Sequence, residues 1–347
     1  MTEKTEKSDI KPRVIAFEIT RKCRYACKHC RANAGECEKE KELTTGQCEK
    51  ILASIAKYNK CMVIVTGGEP MERKDIYDII RYGTKLGLRM VMATCGYLVD
   101  MEALKKLKEA GLMALSFSLD GAGADTHDVF RQAEGAFDYV IRAAELAKKA
   151  HLPFQINTVI SKTNVAEIVA IAELVEKIGA YCFNPFILVP TGRGTDIADE
   201  ILDKIEYDEM LNELLRMKLE SKIKIRVTCG PQFAMLCKKE KVEQLGGIVE
   251  GCIGGRGFGF ISYEGDVQTC GFLDKSAGNI VKSRYNFAKI WEKSEFLNEI
   301  RNVSEYSGKC RICEFGEVCG GCRARAYAMN DDYLAADPVC SYKPRGK

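Results

Sequence analysis

Three cysteines, Cys23, Cys27 and Cys30, fall within CRYACKHC in a C-x3-C-x2-C spacing. Thiolates ligate zinc and iron–sulfur clusters, and this spacing lets three of them converge from one loop. Each iron of a [4Fe–4S] cluster normally takes one cysteine, so three cysteines leave one iron without a protein ligand. A small molecule carrying an amine and a carboxylate can chelate that iron. The alternative is a structural zinc with His29 or Cys37 as fourth ligand, since Cys3His sites exist. Seven more thiols gather near the C-terminus. Cys252 and Cys270 stand in C-x12-G-x4-C, with Gly265 in the turn YEGD. Cys310, Cys313, Cys319 and Cys322 follow in C-x2-C-x5-C-x2-C, and Cys340 comes last. Pairs of the C-x2-C type fit a zinc ribbon as well as an iron–sulfur centre. Cys37, Cys48, Cys61, Cys95, Cys182 and Cys237 have no partner spacing and read as small buried hydrophobes.

Composition narrows the choice. The chain has 17 cysteines but only three histidines, which argues against a histidine-rich metal site. A length of 347 residues and 46% hydrophobic content allow two domains with a sizeable core. A formal net charge of only +3, with 29% charged residues, argues against a general nucleic-acid or membrane-surface binder, which would show a basic stripe. No run of 18 apolar residues appears, so no membrane span is expected. The opening MTEKTEKSDIKPR lacks an apolar core segment and reads as a flexible tail over 1–12, not a secretory signal. A reducing, cytoplasmic setting is therefore expected, where clustered thiols ligate metal more often than they pair as disulfides.

The elements that must position these residues alternate between two periods. VIAFEI (14–19), MVIVT (62–66), RMVMAT (89–94), ALSFSLDG (114–121), FQINTVI (154–160) and FNPFILV (183–189) read as buried strands. Between them, 44–58, 75–87, 100–111, 136–150 and 165–179 read as amphipathic helices. On the first, Cys48, Ile51, Leu52, Ile55 and Ala56 share one face; on the second, Ile76, Ile79, Ile80 and Leu86 do, with Gly87 as its cap. Six β-then-α units imply a parallel sheet, because a parallel return needs a crossover helix. Six are too few for an eight-stranded barrel, so the fold class is α/β, a partial (β/α)6 TIM-like barrel. In such folds the functional loops lie at the C-terminal ends of the strands. The tricysteine loop, GGEP, ATCGY and SLDG all fall there. Residues 196–249 read as a helical bridge, and 250–347 as a small cysteine-rich domain held by metal centres.

C-x3-C-x2-C after a first strand, with GGEP after the second, resembles the radical S-adenosylmethionine (SAM) superfamily over residues 13–195. The resemblance implies that Cys23, Cys27 and Cys30 hold a catalytic [4Fe–4S] cluster whose open iron takes the amino and carboxylate groups of SAM. An electron then cleaves the sulfonium to methionine and a 5′-deoxyadenosyl radical that abstracts hydrogen from substrate. It further implies that Gly67, Gly68, Glu69 and Pro70 lie beside the methionine amine. Ser118 and Asn157 match positions near ribose or carboxylate, and Val189, opening the segment to Gly194, matches one near adenine. The C-terminal cysteines resemble the SPASM domain that follows many such cores. By that likeness Cys310, Cys313, Cys319 and Cys340 hold an outer auxiliary cluster, and Cys252, Cys270 and Cys322 an inner one. The last spacing, CGGC, is one residue shorter than the family pattern. Where the family often has another cysteine, six residues after Cys252, this chain has Phe258. The inner cluster then has either an open iron or a further thiolate such as Cys229.

LVPTGRG, LRMVMATCGY, LPFQINTVI and CGGCRARAYAMNDDYLA further resemble the heme synthases of the siroheme-derived heme pathway. This implies oxidative decarboxylation of two propionates of Fe-coproporphyrin III to vinyl groups, giving heme b. It also implies an iron porphyrin substrate and a low-potential electron donor such as ferredoxin or flavodoxin. Cys95 departs from the asparagine usual there. Because guanidinium groups bind carboxylates bidentately, Arg31, Arg131, Arg193 and Arg256 are expected to line the substrate cavity. His127 is expected to orient a carboxylate or ligate the substrate iron. The alternatives are a peptide- or protein-modifying radical SAM maturase, a tetrapyrrole enzyme that removes acetate side chains, and a non-catalytic zinc or electron-transfer protein. The dozen residues before the first strand leave no room for the N-terminal peptide-binding domain of many maturases.

Overall fold

The computed structural model describes residues 10–35, 42–242 and 249–345. Six parallel strands form the centre: β1 (Val14–Glu18), β2 (Met62–Thr66), β3 (Arg89–Thr94), β4 (Ala114–Ser118), β5 (Phe154–Ile160) and β6 (Cys182–Ile187). The helices returning between them are α1 (Thr45–Tyr58), α2 (Ile76–Lys85), α3 (Met101–Glu109), α4 (Ala124–Arg131), α5 (Ala136–Lys149) and α6 (Ile168–Ile178). α1 buries Cys48, Ile51, Leu52, Ile55 and Ala56, the face its periodicity picks out, and starts at a Thr44–Gln47 capping box. Its neighbour α2 ends at Lys85, with Leu86 as the cap and Gly87 beyond it at φ +78°. Among the helices between the six central strands, α4 is the one the sequence pattern does not show. It carries HDVFR, and its eight residues are too few for a clear period.

Strand register explains the two faces of the sheet. Phe17, Val65, Met92, Leu115 and Phe154 stand side by side across five strands, and all are buried. That row faces the helices. Side chains alternate across a strand, so the other face carries Ile64 and Thr66, Val91 and Ala93, Ser118, Asn157 and Val159, all only half-buried. The second face is the one left for ligands.

The sheet extends at both edges. β7 (Lys224–Ile225), inside the expected helical bridge, pairs parallel to β6, between α7 (Lys204–Glu220) and α8 (Gln232–Lys239). β8 (Phe258–Ile261) lies parallel to β1, and β9 (Asp266–Gln268) and β10 (Gly278–Asn279) follow antiparallel. The strand order is β10-β9-β8-β1-β2-β3-β4-β5-β6-β7, an open sheet with β7 and β10 at its edges. The cysteine-rich region is thus not held by metal centres alone. Trp291 is fully buried, stacks on Phe287 at 5.7 Å and donates its indole N–H to the Ile10 carbonyl at 2.7 Å. Gly259 lies against it, and a Cβ there would come 2.8 Å from the indole ring. Among the described residues no helix is long and apolar enough to cross a membrane. Cys37 and most of the 1–12 tail lie outside the described residues.

Trp291→Ala is expected to cost about 3–5 kcal/mol, the usual range for emptying a buried aromatic site. A melting temperature equal to wild type, measured anaerobically, would show that β8 holds its place without this ring.

Candidate active site

After β1 the chain turns back on itself and presents Cys23, Cys27 and Cys30 from one loop. The turn is closed by Cys23 donating to the Gly35 carbonyl and Gly35 to that of Arg21, both at 3.0 Å. The backbone N–H of Tyr25 points at the Cys23 sulfur, and that of Ala34 at the Cys30 sulfur, each at 3.4 Å. Arg131 Nη1 lies 3.9 Å from the Cys27 sulfur and 3.8 Å from that of Cys95. Such donors favour a thiolate over a thiol. The Cys95 thiol, hydrogen-bonded to Cys23, brings the Cys23 pKa down to about 6. Burial pushes the Cys27 thiol up to about 11. The three thiols pack with Tyr25, Cys95 and Tyr97 into one cluster. Among the described residues no three His, Cys, Asp or Glu converge on a single-ion site.

Other strand ends hold the loop. Gly67 and Gly68 press on its entry: a Cβ on Gly67 would fall on the Thr20 carbonyl, and one on Gly68 on those of Lys22 and Arg21. Gly68 and Glu69 donate their N–H groups to Thr20 and Lys22 carbonyls at 2.8 Å. The glycines of GGEP are therefore required for the approach of two backbones. Glu69 is fully buried and turns toward β3, accepting from the Thr94 hydroxyl at 2.8 Å and the Cys95 N–H at 2.7 Å. Burial pushes its carboxyl up to about 7. Pro70 opens a short 3-10 turn behind it. From the β6 side, Arg193 donates through Nε to the Cys27 carbonyl at 2.9 Å and through Nη1 to the Ala34 carbonyl at 2.7 Å.

Asp120, in the SLDG segment after β4, is a hub whose partners no sequence motif shows. Fully buried, it accepts from Arg131 Nε at 2.7 Å and from the Val159 N–H at 2.8 Å. Burial alone would raise its pKa, but Arg131 beside it holds the carboxyl below the usual range. His29 Nε2 lies 3.6 Å from the same carboxylate, with its ring stacked on Phe130. This histidine faces Asp120, away from the role of fourth ligand.

The half-buried face carries a polar row at the mouth of the sheet. Ser118 pairs in register with Asn157, and Asn157 with Asn184. Asn157 Oδ1 accepts from Asn184 at 3.2 Å, and Asn184 Oδ1 accepts from the Thr228 hydroxyl at 2.9 Å. Val189 is buried where the chain leaves β6, its carbonyl accepting from Thr191 at 2.8 Å. At the opposite edge Arg31 donates to Glu18 at 3.2 Å and covers the Phe260 ring at 4.6 Å.

This geometry gives four of the five residues expected to meet substrate other partners within the protein. His127 is fully buried on α4, accepting the Asp120 N–H at Nδ1 over 2.9 Å, and burial pulls its pKa down to about 4. Arg131 is held by Asp120, and Arg193 by the cysteine loop. Arg256 donates to the Arg301 carbonyl at 3.0 Å, among residues of the C-terminal region. Arg31, paired with Glu18, stands at the β1–β8 edge of the open face.

In the C-terminal region Cys310, Cys313, Cys319 and Cys340 line one cavity together with Phe315 and Tyr342. Backbone and side-chain donors again face sulfur: the Gly321 N–H toward Cys319 at 3.4 Å and Arg323 Nη2 toward Cys310 at 3.7 Å. Cys252, Cys270 and Cys322 form a second group, in which each thiol feels the charge of another. Behind it lies a fully buried ion pair, Arg325 to Asp337 at 2.9 Å, which no spacing in the sequence indicated.

Residues 17–175 match the model of the radical SAM superfamily, and 252–314 that of an iron–sulfur cluster-binding domain, SPASM. A Methanosarcina barkeri protein named AdoMet-dependent heme synthase is 43% identical over 97% of this chain and 98% of its own length. A protein of the same organism named Fe-coproporphyrin III synthase is 32% identical over 96% of this chain and 88% of its own. Among solved structures, Streptococcus suis SuiB bound to precursor peptide SuiA superposes with a TM-score of 0.76. It is 17% identical, over 96% of this chain and 76% of that one.

Arg193→Ala removes two side-chain contacts to the cysteine loop, and Gly68→Ala forces the loop off its seat. Both reconstituted variants are expected to keep a wild-type circular dichroism spectrum and to lose most of the change that added SAM induces in the EPR spectrum of the reduced protein. A full change in either would mean that the loop keeps its shape unaided.

Proposed function

The chain belongs to the radical SAM superfamily and carries its SPASM domain, and from that premise we propose that it is a heme synthase. The reaction converts two propionate side chains of Fe-coproporphyrin III into the vinyl groups of heme b. The observation that carries this reading is the full-length similarity to the Methanosarcina barkeri heme synthase. For each propionate, a hydrogen atom leaves the β-carbon, the bond to the carboxylate breaks with release of carbon dioxide, and one electron departs to an acceptor. A vinyl group remains.

The residues present fit the groups this chemistry needs. Three neighbouring thiols with N–H donors aimed at two of their sulfurs, and a guanidinium beside the third, suit a negatively charged cluster. Cys23, Cys27 and Cys30 would hold it. Gly67, Gly68, Glu69, Pro70, Ser118, Asn157 and Val189 surround the place for SAM, at the ends of neighbouring strands. Cys310, Cys313, Cys319 and Cys340 would hold the outer auxiliary cluster, and Cys252, Cys270 and Cys322 the inner one. When bound, these groups supply reductive cleavage of a sulfonium, and so hydrogen abstraction, together with an electron acceptor.

The chain's own residues do the positioning. Arg131, fixed by Asp120, sets a cation beside Cys27. Tyr25 and Tyr97 pack at 4.9 Å, with Arg24 lying over Tyr97 at 3.9 Å, and shield the thiols from water. Ile64, Val91, Ala93 and Val159 give the open face an apolar floor suited to a flat macrocycle. The Ser118–Asn157–Asn184 row offers hydrogen bonds at one side of that floor, and Arg31 a guanidinium for a propionate at the other. A small, low-potential donor such as a ferredoxin or flavodoxin would deliver the reducing electron.

Reconstituted without oxygen and given SAM, a reductant and Fe-coproporphyrin III, the protein is expected to shift the tetrapyrrole mass by two losses of carbon dioxide plus a hydrogen pair. An equivalent of 5′-deoxyadenosine should accompany each loss. Intact Fe-coproporphyrin III alongside ready SAM cleavage would overturn this substrate. Removal of acetate groups from a more carboxylated porphyrin would move the protein to the Fe-coproporphyrin III synthase reaction.

A further inference from the structure

We infer that Cys229 is the fourth protein ligand of the inner auxiliary centre, completing Cys252, Cys270 and Cys322, so that this centre has no open iron. The inference rests on the reading of those three cysteines as one ligand set, and goes beyond it by closing the set.

Cys229 lies far from the others in sequence, in VTCGP between β7 and α8, and its spacing alone gives no pairing. The fold delivers it to them. Thr228 donates to the Pro185 carbonyl at 2.8 Å and accepts from Ile187 at 3.0 Å, which fixes the segment against β6. Cys229 itself has φ +59°, a left-handed conformation that non-glycine residues adopt rarely and that clusters at functional sites. Its thiol lies beside that of Cys322, with Cys270 next to both. Cys252 in turn acts on Cys270. The four sulfurs therefore form one neighbourhood.

A second observation is independent of the thiols. Arg325 donates through Nη1 to the Cys229 carbonyl at 3.0 Å, and through Nε and Nη2 to Asp337 at 3.0 and 2.9 Å. Asp337 Oδ2 also accepts the Cys322 N–H at 2.8 Å. One fully buried ion pair thus positions the backbones of Cys229 and Cys322 together. The family's usual alternative is unavailable, because Phe258 occupies that position as the first residue of β8, in register with Val14.

Ligation would replace the Cys229 S–H bond by an iron–thiolate bond and release the proton to solvent. A fully ligated centre cannot take the substrate on iron, and serves by passing electrons.

The test uses the full chain with Cys23, Cys27 and Cys30 all replaced by alanine, so that only the auxiliary centres remain, and reads no turnover. After anaerobic reconstitution and reduction, added cyanide or imidazole is expected to leave the EPR spectrum unchanged. The further variant Cys229→Ala is expected to bind cyanide with a new EPR signal, and Cys229→Ser to shift the reduction potential without such binding. A cyanide response in the parent variant would overturn the inference, even if the Cys229 variants failed to fold. So would Cys229→Ala and Cys229→Ser spectra and potentials identical to the parent. None of these readouts involves a porphyrin, so failure of the heme synthase reading leaves them standing, and the reverse holds too.

Discussion

Three thiolates brought into one loop repel one another, and at burial like that of Cys27 the charged form is disfavoured further. The molecule meets this constraint with a buried cation. Arg131 reaches Cys27 and Cys95 with one nitrogen while two others are held by Asp120. A buried ion pair is weak evidence for net stability, since desolvation offsets much of its attraction. Its value here is placement, because Asp120 keeps the guanidinium from swinging to solvent. The same carboxylate accepts the Val159 N–H, so β4, β5, α4 and the cysteine loop share a single anchor. A change at Asp120 would reach all four.

Backbone contacts complete the grip. GGEP approaches the loop entry through two glycines, and TGRG approaches its exit. At Gly192 the φ is +59°, and a Cβ would fall on the Cys30 and Arg31 carbonyls. The loop is thus clamped between the ends of β2 and β6, and the gap between those ends opens onto the half-buried face. Geometry, more than any single polar contact, makes the cysteines and the open face one site.

Much of this was legible in the sequence, for reasons that differ by residue. α1 announced its buried face because fourteen residues give several helical turns, whereas α4 is only eight long. The six central strands were readable as apolar runs. β7 and β8 were not, because two and four residues set no period. Cysteine spacing marked the thiols that the fold gathers in the first loop and around the C-terminal cavity. It gave no account of Asp120, Glu69 or Asp337, since a carboxylate's partner is chosen by the fold. The partners of the arginines were hidden for the same cause: the folded chain turns Arg131 onto Asp120 and Arg193 onto backbone carbonyls.

The C-terminal region solves the first loop's problem in the same way. Arg325 and Asp337 form a second buried pair beside a second group of thiols, with Arg325 fully enclosed. As in the first loop, the carboxylate accepts a backbone N–H, here from Cys322, and fixes a cysteine backbone as well as a charge. The two pairs arise from unrelated stretches of sequence and unrelated local structure. What they share is the physical demand: an anionic metal centre in a low-dielectric interior needs a cation that cannot leave, and an arginine bound to a buried aspartate is such a cation. Because β8 is hydrogen-bonded to β1, the strand that leads into the first cysteine loop and the hairpin flanked by Cys252 and Cys270 belong to one continuous sheet.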